Sequence, residues 1–369
     1  MSAIGMRLLM LSWRSPGHPQ GGGAENLTQE VLRRLVANGH QVTWFSAMWP
    51  GAVSRESIDG VQMVRQGAQW SVHLRAWNWL RTRRNDFDVV VDQINTIPFF
   101  TPLYLPAEQR RMLIFQTARE FWWRQTPGLF KVVAPVGYLA EPRYLKLYRR
   151  TRAITISRST RDELVGLGLS ADAISIIPMA NTFSSLETLD PKPGPFRVIV
   201  VGRLEPAKHV EDAVRAFAVL QRREPTARLD VVGTGAPAYR ERLEAEVMRL
   251  GLRDVTFHGR VEEARKHELM AAAHVHVFCS RREGWGLTVT EAAGLGTPSI
   301  GYDVPGVRDS IGDERMLAAR GDVHALAERL VALRDAPASY EVFRREAWER
   351  TRALSYEATT DAFLQALDV

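Results

Sequence analysis

The strongest constraint on the fold is a repeated alternation of short apolar runs with longer amphipathic segments. The apolar run 6–12 leads into three glycines at 21–23, an amphipathic segment with apolar residues every three or four positions, and a second apolar run at 41–45. A strand, a glycine loop, a helix and another strand are the start of a parallel α/β sheet. We therefore predict an α/β fold.

Two series of these elements are separated by residues 190–195, which contain three prolines and a glycine. Such a segment favours neither a helix nor a central strand, so we interpret it as a linker. The predicted strands are 6–12, 41–45, 88–91, 112–115, 153–156 and 174–177 before it, and 197–201, 229–232, 255–258, 274–279 and 298–302 after it. We predict two Rossmann-like domains, 1–190 and 191–345. A helical segment, 346–369, is expected to pack back on the N-terminal domain.

Composition limits the classes of partner. The chain has 369 residues, a formal net charge of +6 and 24% charged residues, and its basic residues are dispersed without a basic tail or a nucleic-acid motif. We therefore expect no nucleic-acid partner. The single cysteine, Cys279, lies in an apolar run and suits a buried thiol in a reducing compartment. No run is long enough to span a bilayer, so we expect a cytoplasmic protein, with peripheral contact to the inner face of the membrane left open.

The sharpest motif reads Glu-Gly-Trp-Gly-Leu-Thr-Val-Thr-Glu at 283–291, after a predicted strand and at the start of a helix. Its two glycines let the backbone approach a ligand, and a helix N-terminus favours an anion such as a diphosphate. Glu283 can accept hydrogen bonds from sugar hydroxyls and Glu291 from a ribose. The alternative is a solvated loop glutamate and a glutamate on a helix surface.

Two weaker motifs accompany it. Arg203 and Lys208 lie on a predicted strand-to-helix loop, where two cations could hold a diphosphate, although both could be ordinary surface residues. The glycines at 21–23, followed by Glu25, could close over the same diphosphate or form a plain tight turn. They do not match the dinucleotide fingerprint, and the second strand lacks an acidic residue at its end, which argues against NAD.

Taken together, these motifs resemble the retaining glycosyltransferases of family 4 in order and approximate spacing. Lesser marks at 233–235, 258–261 and 294–298 agree. The resemblance implies a GT-B fold, in which two Rossmann-like domains face each other across a cleft, with the acceptor on the N-terminal domain and the nucleotide sugar on the C-terminal domain. It implies transfer of a sugar from a nucleotide diphosphate sugar to the hydroxyl of a saccharide, a lipid-linked saccharide or a small metabolite. It implies no metal and no cofactor besides the co-substrate.

The resemblance also implies residue roles. Glu283, Arg203 and Lys208 would be catalytic, with Glu283 on the donor sugar and the two cations on the diphosphate. The residues assigned to the donor are Gly22, Gly23, Arg203, Lys208, Gly233, Arg260, Glu283, Gly284, Trp285, Gly286, Leu287, Thr288 and Glu291.

The acceptor side departs from the family pattern. Members often carry a histidine after the fourth N-terminal strand, where this chain has Phe115 or Gln116. We expect Gln116, Arg119 and Glu120 to bind the acceptor, with Gln116 orienting it, because glutamine cannot act as a base. Tryptophans and arginines are frequent at 70–84 and 121–124. They suit a membrane interface, stacking on sugar rings or simply the core.

Three alternative functions remain. A GT-B phosphorylase or a nucleotide-sugar epimerase would share the fold but not the reaction. A non-catalytic glycosyltransferase-like subunit would only bind a partner, although intact Glu283, Arg203, Lys208 and Glu291 argue against a decayed site.

Overall fold

The computed structural model describes residues 5–119, 122, 134–181, 183 and 185–368. The chain divides into two compact units, residues 1–180 with 355–369 and residues 181–354. Each unit is built around its own parallel sheet. The α/β prediction is therefore confirmed.

The first unit contains an eight-stranded sheet in the order β3-β4-β2-β1-β5-β6-β7-β8. Only the β3–β4 pair is antiparallel. Its strands are β1 (Arg7–Leu11), β2 (Gln41–Ser46), β3 (Arg55–Ile58), β4 (Val61–Arg65), β5 (Val89–Ile94), β6 (Arg110–Ile114), β7 (Arg152–Thr155) and β8 (Ile174–Ile176). Its described α-helices are α1 (Gly23–Ala37), α2 (Val72–Arg81), α3 (Ala134–Leu145), α4 (Arg158–Gly166) and α12 (Tyr356–Leu367).

Helices α2 and α3 cover the same face of this sheet. Val90 and Ile94 lie four residues apart on β5, so their side chains point to the same side of the strand. Val90 packs in the cluster that contains Val72, Ala76 and Leu80 of α2. Ile94 packs with Leu145, the last residue of α3. The C-terminal end of α3 therefore packs on the same face of the sheet as α2.

The sequence analysis missed the β3–β4 hairpin. Asp59 and Gly60 form its turn, and both have positive φ, 52° and 82°. Such a turn matches the twist of the two strands, and Asp-Gly is the dipeptide that supplies it most readily. The signal was present, but the flanking strands are short and one is almost entirely exposed.

The second unit contains a parallel six-stranded sheet in the order β11-β10-β9-β12-β13-β14. Its strands are β9 (Arg197–Val201), β10 (Arg228–Val232), β11 (Val255–Gly259), β12 (Val275–Phe278), β13 (Ser299–Tyr302) and β14 (Leu317–Ala318). Its α-helices are α5 (Val210–Arg223), α6 (Pro237–Arg249), α7 (Glu263–Ala272), α8 (Leu287–Gly294), α9 (Val307–Ile311), α10 (Val323–Asp335) and α11 (Pro337–Thr351).

The units divide at residues 180/181 and 354/355, whereas the sequence placed its boundaries at 190 and 345. The proline-rich segment belongs to the second unit because a buried arginine and a partly buried lysine fasten it there. Arg344 of α11 donates to the carbonyl oxygens of Asp190 and Gly296 at 2.6 and 2.9 Å. The Lys192 ammonium donates to the Ala271 and Ala273 carbonyls. Beyond α11, α12 packs against α1 in the first unit.

Candidate active site

The motifs of the second unit meet at one point of its sheet. From β9 the chain adds β10 and β11 on one side, and β12 and β13 then join on the other side. The loops that follow β9 and β12 are therefore neighbours at the carboxyl edge. This is the topological switch point where open parallel sheets bind their ligands.

Lys208 and Glu283 join these two loops. The Lys208 ammonium forms an ion pair and a hydrogen bond with the Glu283 carboxylate. Their side chains are 22% and 19% exposed, so the pair is largely shielded from water without being sealed. The same ammonium lies 5.6 Å from the ring centroid of Phe278, at the end of β12. The structure thus brings together two of the three residues predicted to be catalytic.

Arg203 is placed differently. Its side chain is 79% exposed, and its guanidinium lies 3.4 Å from the Glu205 carboxylate. Such an exposed pair holds its side chains loosely. Arg260 follows β11 at the same carboxyl edge and is also exposed. Both arginines are therefore free to move toward a ligand at this edge.

Gly306, which the sequence analysis did not select, shapes the Glu283 loop. It follows β13 with a φ of 79°. A β-carbon at this position would overlap the Glu283 carbonyl and contact Gly284. The Glu283 amide also lies 3.4 Å from the Pro305 carbonyl. The backbone carrying Glu283 therefore packs directly on Gly306. A side chain at position 306 would displace that backbone.

Backbone packing explains why position 233 is a glycine. It lies after β10 with a φ of 138°, and a β-carbon there would overlap the carbonyl oxygen of Gly202. A β-carbon on Gly235 would likewise overlap the Leu204 carbonyl. The loop after β10 thus lies directly against the loop that carries Arg203. These glycines position the Arg203 loop whether or not they touch a ligand.

Asp212 is a buried carboxylate beneath the same loops. It lies in the first turn of α5 and accepts a hydrogen bond from the Tyr302 hydroxyl at 2.9 Å. The Arg281 guanidinium, two residues before Glu283, approaches it to 3.5 Å. Asp212 therefore ties α5 to the loop after β12. A polar residue early in a helix was visible in the sequence, but its partners come from distant strands.

Glu291 is neither on a helix surface nor solvated. It is 6% exposed on α8, and its carboxylate lies 3.0 Å from the Lys266 ammonium of α7. Lys266 also pairs with Glu263 at 2.7 Å. Burial by itself would lower the pKa of Lys266, but the Glu291 and Glu263 carboxylates outweigh it and raise that pKa. Lys266 was not selected from the sequence, because nothing there shows that α7 packs beside α8.

The start of α8 presents backbone rather than side chains. Gly286 caps the helix with a φ of 107°, and Leu287 and Thr288 form its first turn. The first amides of a helix have no partner within it and favour an anion. Trp285 instead lines a cavity of about 230 Å³ between α8, α9 and α11. Gly284 and the first turn thus suit the predicted diphosphate, whereas the Trp285 side chain contributes to packing behind the loop.

In the first unit, Glu25 organises the glycine loop. It is 2% exposed and accepts a hydrogen bond from the Gly22 amide at 2.8 Å. The Arg14 guanidinium donates to the same carboxylate at 2.8 Å and to the Gln20 carbonyl at 2.9 Å. Gly23 begins α1 directly after this cap. The loop therefore brings a helix N-terminus and a partly exposed arginine together.

The predicted acceptor segment is held by a residue that the sequence analysis missed. Glu141 of α3 is 2% exposed and accepts hydrogen bonds from the Ala118 and Arg119 amides at 2.5 and 2.7 Å. Arg119 has a φ of 34°, and its guanidinium lies 6.0 Å from the Tyr138 ring centroid. Gln116 follows β6 and is partly exposed. Glu120 lies outside the described residues.

Two general findings concern the described part of the chain. Within 5–119, 122, 134–181, 183 and 185–368, no cluster of three histidine, cysteine or acidic side chains is arranged to hold a metal ion. None of the helices described there has the length and apolarity needed to cross a membrane.

Two curated proteins illustrate what this chain is similar to. Glycogen synthase from Mycobacterium tuberculosis is 30% identical over 213 residues, which cover 56% of this chain and 50% of that protein. D-inositol 3-phosphate glycosyltransferase from Thermomonospora curvata is 31% identical over 46% of this chain and 42% of its own length. The chain therefore spans about half the length of these relatives.

Solved structures match along nearly the whole chain. Sucrose-phosphate synthase from Thermosynechococcus elongatus superposes with a TM-score of 0.72 at 19% identity, covering 98% of both chains. WaaG, a glycosyltransferase involved in lipopolysaccharide biosynthesis, superposes with a TM-score of 0.70 at 17% identity and the same coverage. These similarities establish the GT-B fold.

Two family models account for the two units. "Glycosyltransferase Family 4" matches residues 21–180, and "Glycosyl transferases group 1" matches residues 185–350. The chain therefore belongs to the family 4 glycosyltransferases, with a group 1 domain as its second unit.

Proposed function

We propose that the protein transfers a sugar from a nucleotide diphosphate sugar to an acceptor hydroxyl, with retention of configuration and without a metal ion. The observation that carries the proposal is the Lys208–Glu283 pair, which joins the loops after β9 and β12 at the switch point of the second sheet. A cation and a carboxylate suit the two halves of such a donor, because a cation stabilises a diphosphate and a carboxylate accepts from sugar hydroxyls.

The charge that develops on departure of the diphosphate needs stabilisation. In the proposed complex, Lys208 and the first amides of α8 contact the phosphates, and exposed Arg203 folds toward them. These positive groups would supply what a divalent metal ion supplies in other transferases. A bound diphosphate would compete with Glu283 for Lys208, which would release the Glu283 carboxylate toward the sugar.

Retention requires attack on the face that the leaving group vacates. The bond from the anomeric carbon to the phosphate oxygen breaks, the acceptor oxygen bonds to that carbon, and the departing phosphate oxygen takes the acceptor proton. No protein base is needed, which fits Phe115 or Gln116 at the place where members of the family often carry histidine. We propose that Gln116 and Arg119 orient the acceptor, on a segment held by Glu141.

Substrate identity is best found by binding. A thermal-shift panel of UDP, GDP, ADP and TDP identifies the nucleotide, because a ligand of the native state raises the melting temperature. The matching sugar nucleotides are then incubated with and without saccharide, lipid-linked and small-molecule acceptors. Acceptor-dependent release of the nucleoside diphosphate supports a transferase, whereas release of a sugar phosphate or epimerised donor alone indicates a phosphorylase or an epimerase.

Residue variants then test the site. Glu283→Gln and Lys208→Met should each lower turnover by about 10²–10³. Glu262→Gln, at an exposed glutamate before α7, serves as the matched control and should retain full turnover. Near-normal turnover in both site variants would contradict the proposed role of the pair. Absence of nucleotide binding in the wild type would instead favour a non-catalytic subunit.

A further inference from the structure

An apolar stripe is exposed along α2 of the first unit. Trp70, Leu74 and Trp77 are 62%, 66% and 39% exposed. Leu74 and Trp77 are three residues apart and lie on one side of α2, whereas Trp70 lies in the turn just before the helix begins. The opposite side, formed by Val72, Ala76 and Leu80, is buried against the sheet. Trp79 behaves differently, because it packs with Phe45 and Phe87 in the core. Among the described residues of this unit, Trp70 and Trp77 therefore remain largely outside the apolar core.

Further exposed apolar residues lie on α3 and on the segment between the two helices. The rings of His73 on α2 and Phe99 have centroids 4.7 Å apart, and those of Phe100 and Tyr144 on α3 have centroids 6.2 Å apart. The short segment between the helices exposes Leu103, which is 68% accessible. On α3, Val136 and Leu139 are 64% and 58% exposed. We call this surface the α2–α3 face; its apolar members are Trp70, Leu74, Trp77, Leu103, Val136 and Leu139.

The charge along α2 has one sign, and exposed acids lie outside this helix, for example at Asp86 and Glu108. Residues 66–85 contain four arginines and no acidic residue. Arg75, Arg81 and Arg84 are exposed there, and the Arg81 guanidinium lies 5.8 Å from the Trp77 ring centroid. On α3 the sole acidic residue is Glu141, which is buried against the backbone at 118–119. The face therefore offers cations without competing carboxylates on either helix.

We propose that the α2–α3 face docks the protein on an anionic phospholipid bilayer. Tryptophan favours the interface between lipid headgroups and chains, and a helix with an apolar stripe flanked by arginines lies in that plane. Cations near an anionic surface add to the affinity. A bilayer fits better than a nucleic acid, because exposed leucine and valine side chains gain nothing from phosphates. The proposal does not depend on the proposed reaction.

Flotation with vesicles tests the docking without any sugar donor. The wild-type protein is mixed with phosphatidylcholine vesicles, or with vesicles of phosphatidylcholine and phosphatidylglycerol at a ratio of about 3:1, at about physiological ionic strength. We expect the protein to partition at least tenfold more tightly onto the anionic vesicles than onto the phosphatidylcholine vesicles. Absence of binding to the anionic vesicles, or equal binding to both kinds, would overturn the proposal.

Paired variants assign the binding to this face. Trp70→Ala with Trp77→Ala should weaken partitioning at least tenfold, whereas Met248→Ala, at a residue 74% exposed in the second unit, should leave it unchanged. Arg75→Glu with Arg81→Glu should weaken it at least about 25-fold, because loss of each cation near the surface costs about fivefold and the added carboxylates repel the anionic lipid. The control pair, Arg222→Glu with Arg345→Glu, makes the same charge change on exposed residues of the second unit.

The outcomes separate lipid from other anions. All these sites are exposed, so circular dichroism and thermal melting should match the wild type. Equal losses in the two charge-reversed pairs would show that net charge alone attracts the protein, and would overturn the assignment to α2–α3. Vesicle binding that survives Trp70→Ala with Trp77→Ala would do the same. Retention on heparin that requires Arg75 and Arg81, without vesicle binding, would identify a polyanion site instead.

Discussion

The ion pair between α7 and α8 allows a quantitative test of the second unit. Glu291 and Lys266 are separated by 3.0 Å, and their side chains are 8% and 14% exposed. At an effective dielectric constant of about 20 their attraction is about 5 kcal/mol, most of which offsets the cost of removing both charges from water. Lys266→Met removes the attraction but leaves the carboxylate buried. We therefore expect it to lower the free energy of unfolding by about 3 kcal/mol.

A double-mutant cycle isolates the pair. Glu291→Gln should cost about 1–2 kcal/mol, and the double variant should cost less than the sum of the two single variants by about 2 kcal/mol. Urea unfolding followed by tryptophan fluorescence, with calorimetry to resolve the transition of the second unit, gives the free energies. Glu263→Gln is the matched control, because that carboxylate also pairs with Lys266 but is 75% exposed. Its cost should stay below about 0.5 kcal/mol.

The pH dependence of the free energy of unfolding provides a second check. The pKa of Lys266 is raised in the folded protein, so its contribution is fully present below the unfolded pKa and is lost as the pH rises through the folded value. The difference between wild type and Lys266→Met should therefore be constant at neutral pH and shrink in strong alkali. A cost below about 1 kcal/mol for Lys266→Met, or an equal cost for Glu263→Gln, would refute the argument that burial gives the pair its strength.

Three further predictions use other parts of the second unit. Gly233→Ala should lower stability by more than about 2 kcal/mol and depress turnover, because its β-carbon overlaps the Gly202 carbonyl; thermal melting and kinetics measure this. Burial lowers the pKa of His276 to about 3, so stability should fall as the pH drops below about 6.5, by about 1.4 kcal/mol per pH unit, and His276→Gln should reduce that slope in acid titrations. Turnover should persist in excess EDTA; loss that Mg²⁺ or Mn²⁺ restores would contradict the metal-independent mechanism.

The strands could be predicted from the sequence because their apolar patterns lie within short stretches of the chain. All eleven predicted strands occur, and Arg197–Val201 has the predicted bounds. The β3–β4 hairpin and the two-residue β14 were missed because short or exposed strands lack a strong apolar alternation. The domain boundaries differ because Arg344 and Lys192 fasten the proline-rich segment to the second unit. The Arg344–Asp190 hydrogen bond joins residues 154 positions apart, so no local sequence pattern could predict it.

The sequence by itself determined the α/β class and the motif order, and it placed Lys208 and Glu283 on loops after strands. Tertiary structure alone decided that these two residues meet, because they lie 75 positions apart and only the strand order makes their loops neighbours. It likewise decided that Lys266 accompanies Glu291, that Gly306 supports the Glu283 loop, and that Trp79 packs against the core while Trp77 is exposed. Spacing along the chain records periodicity within one element, whereas these pairings depend on how separate elements pack.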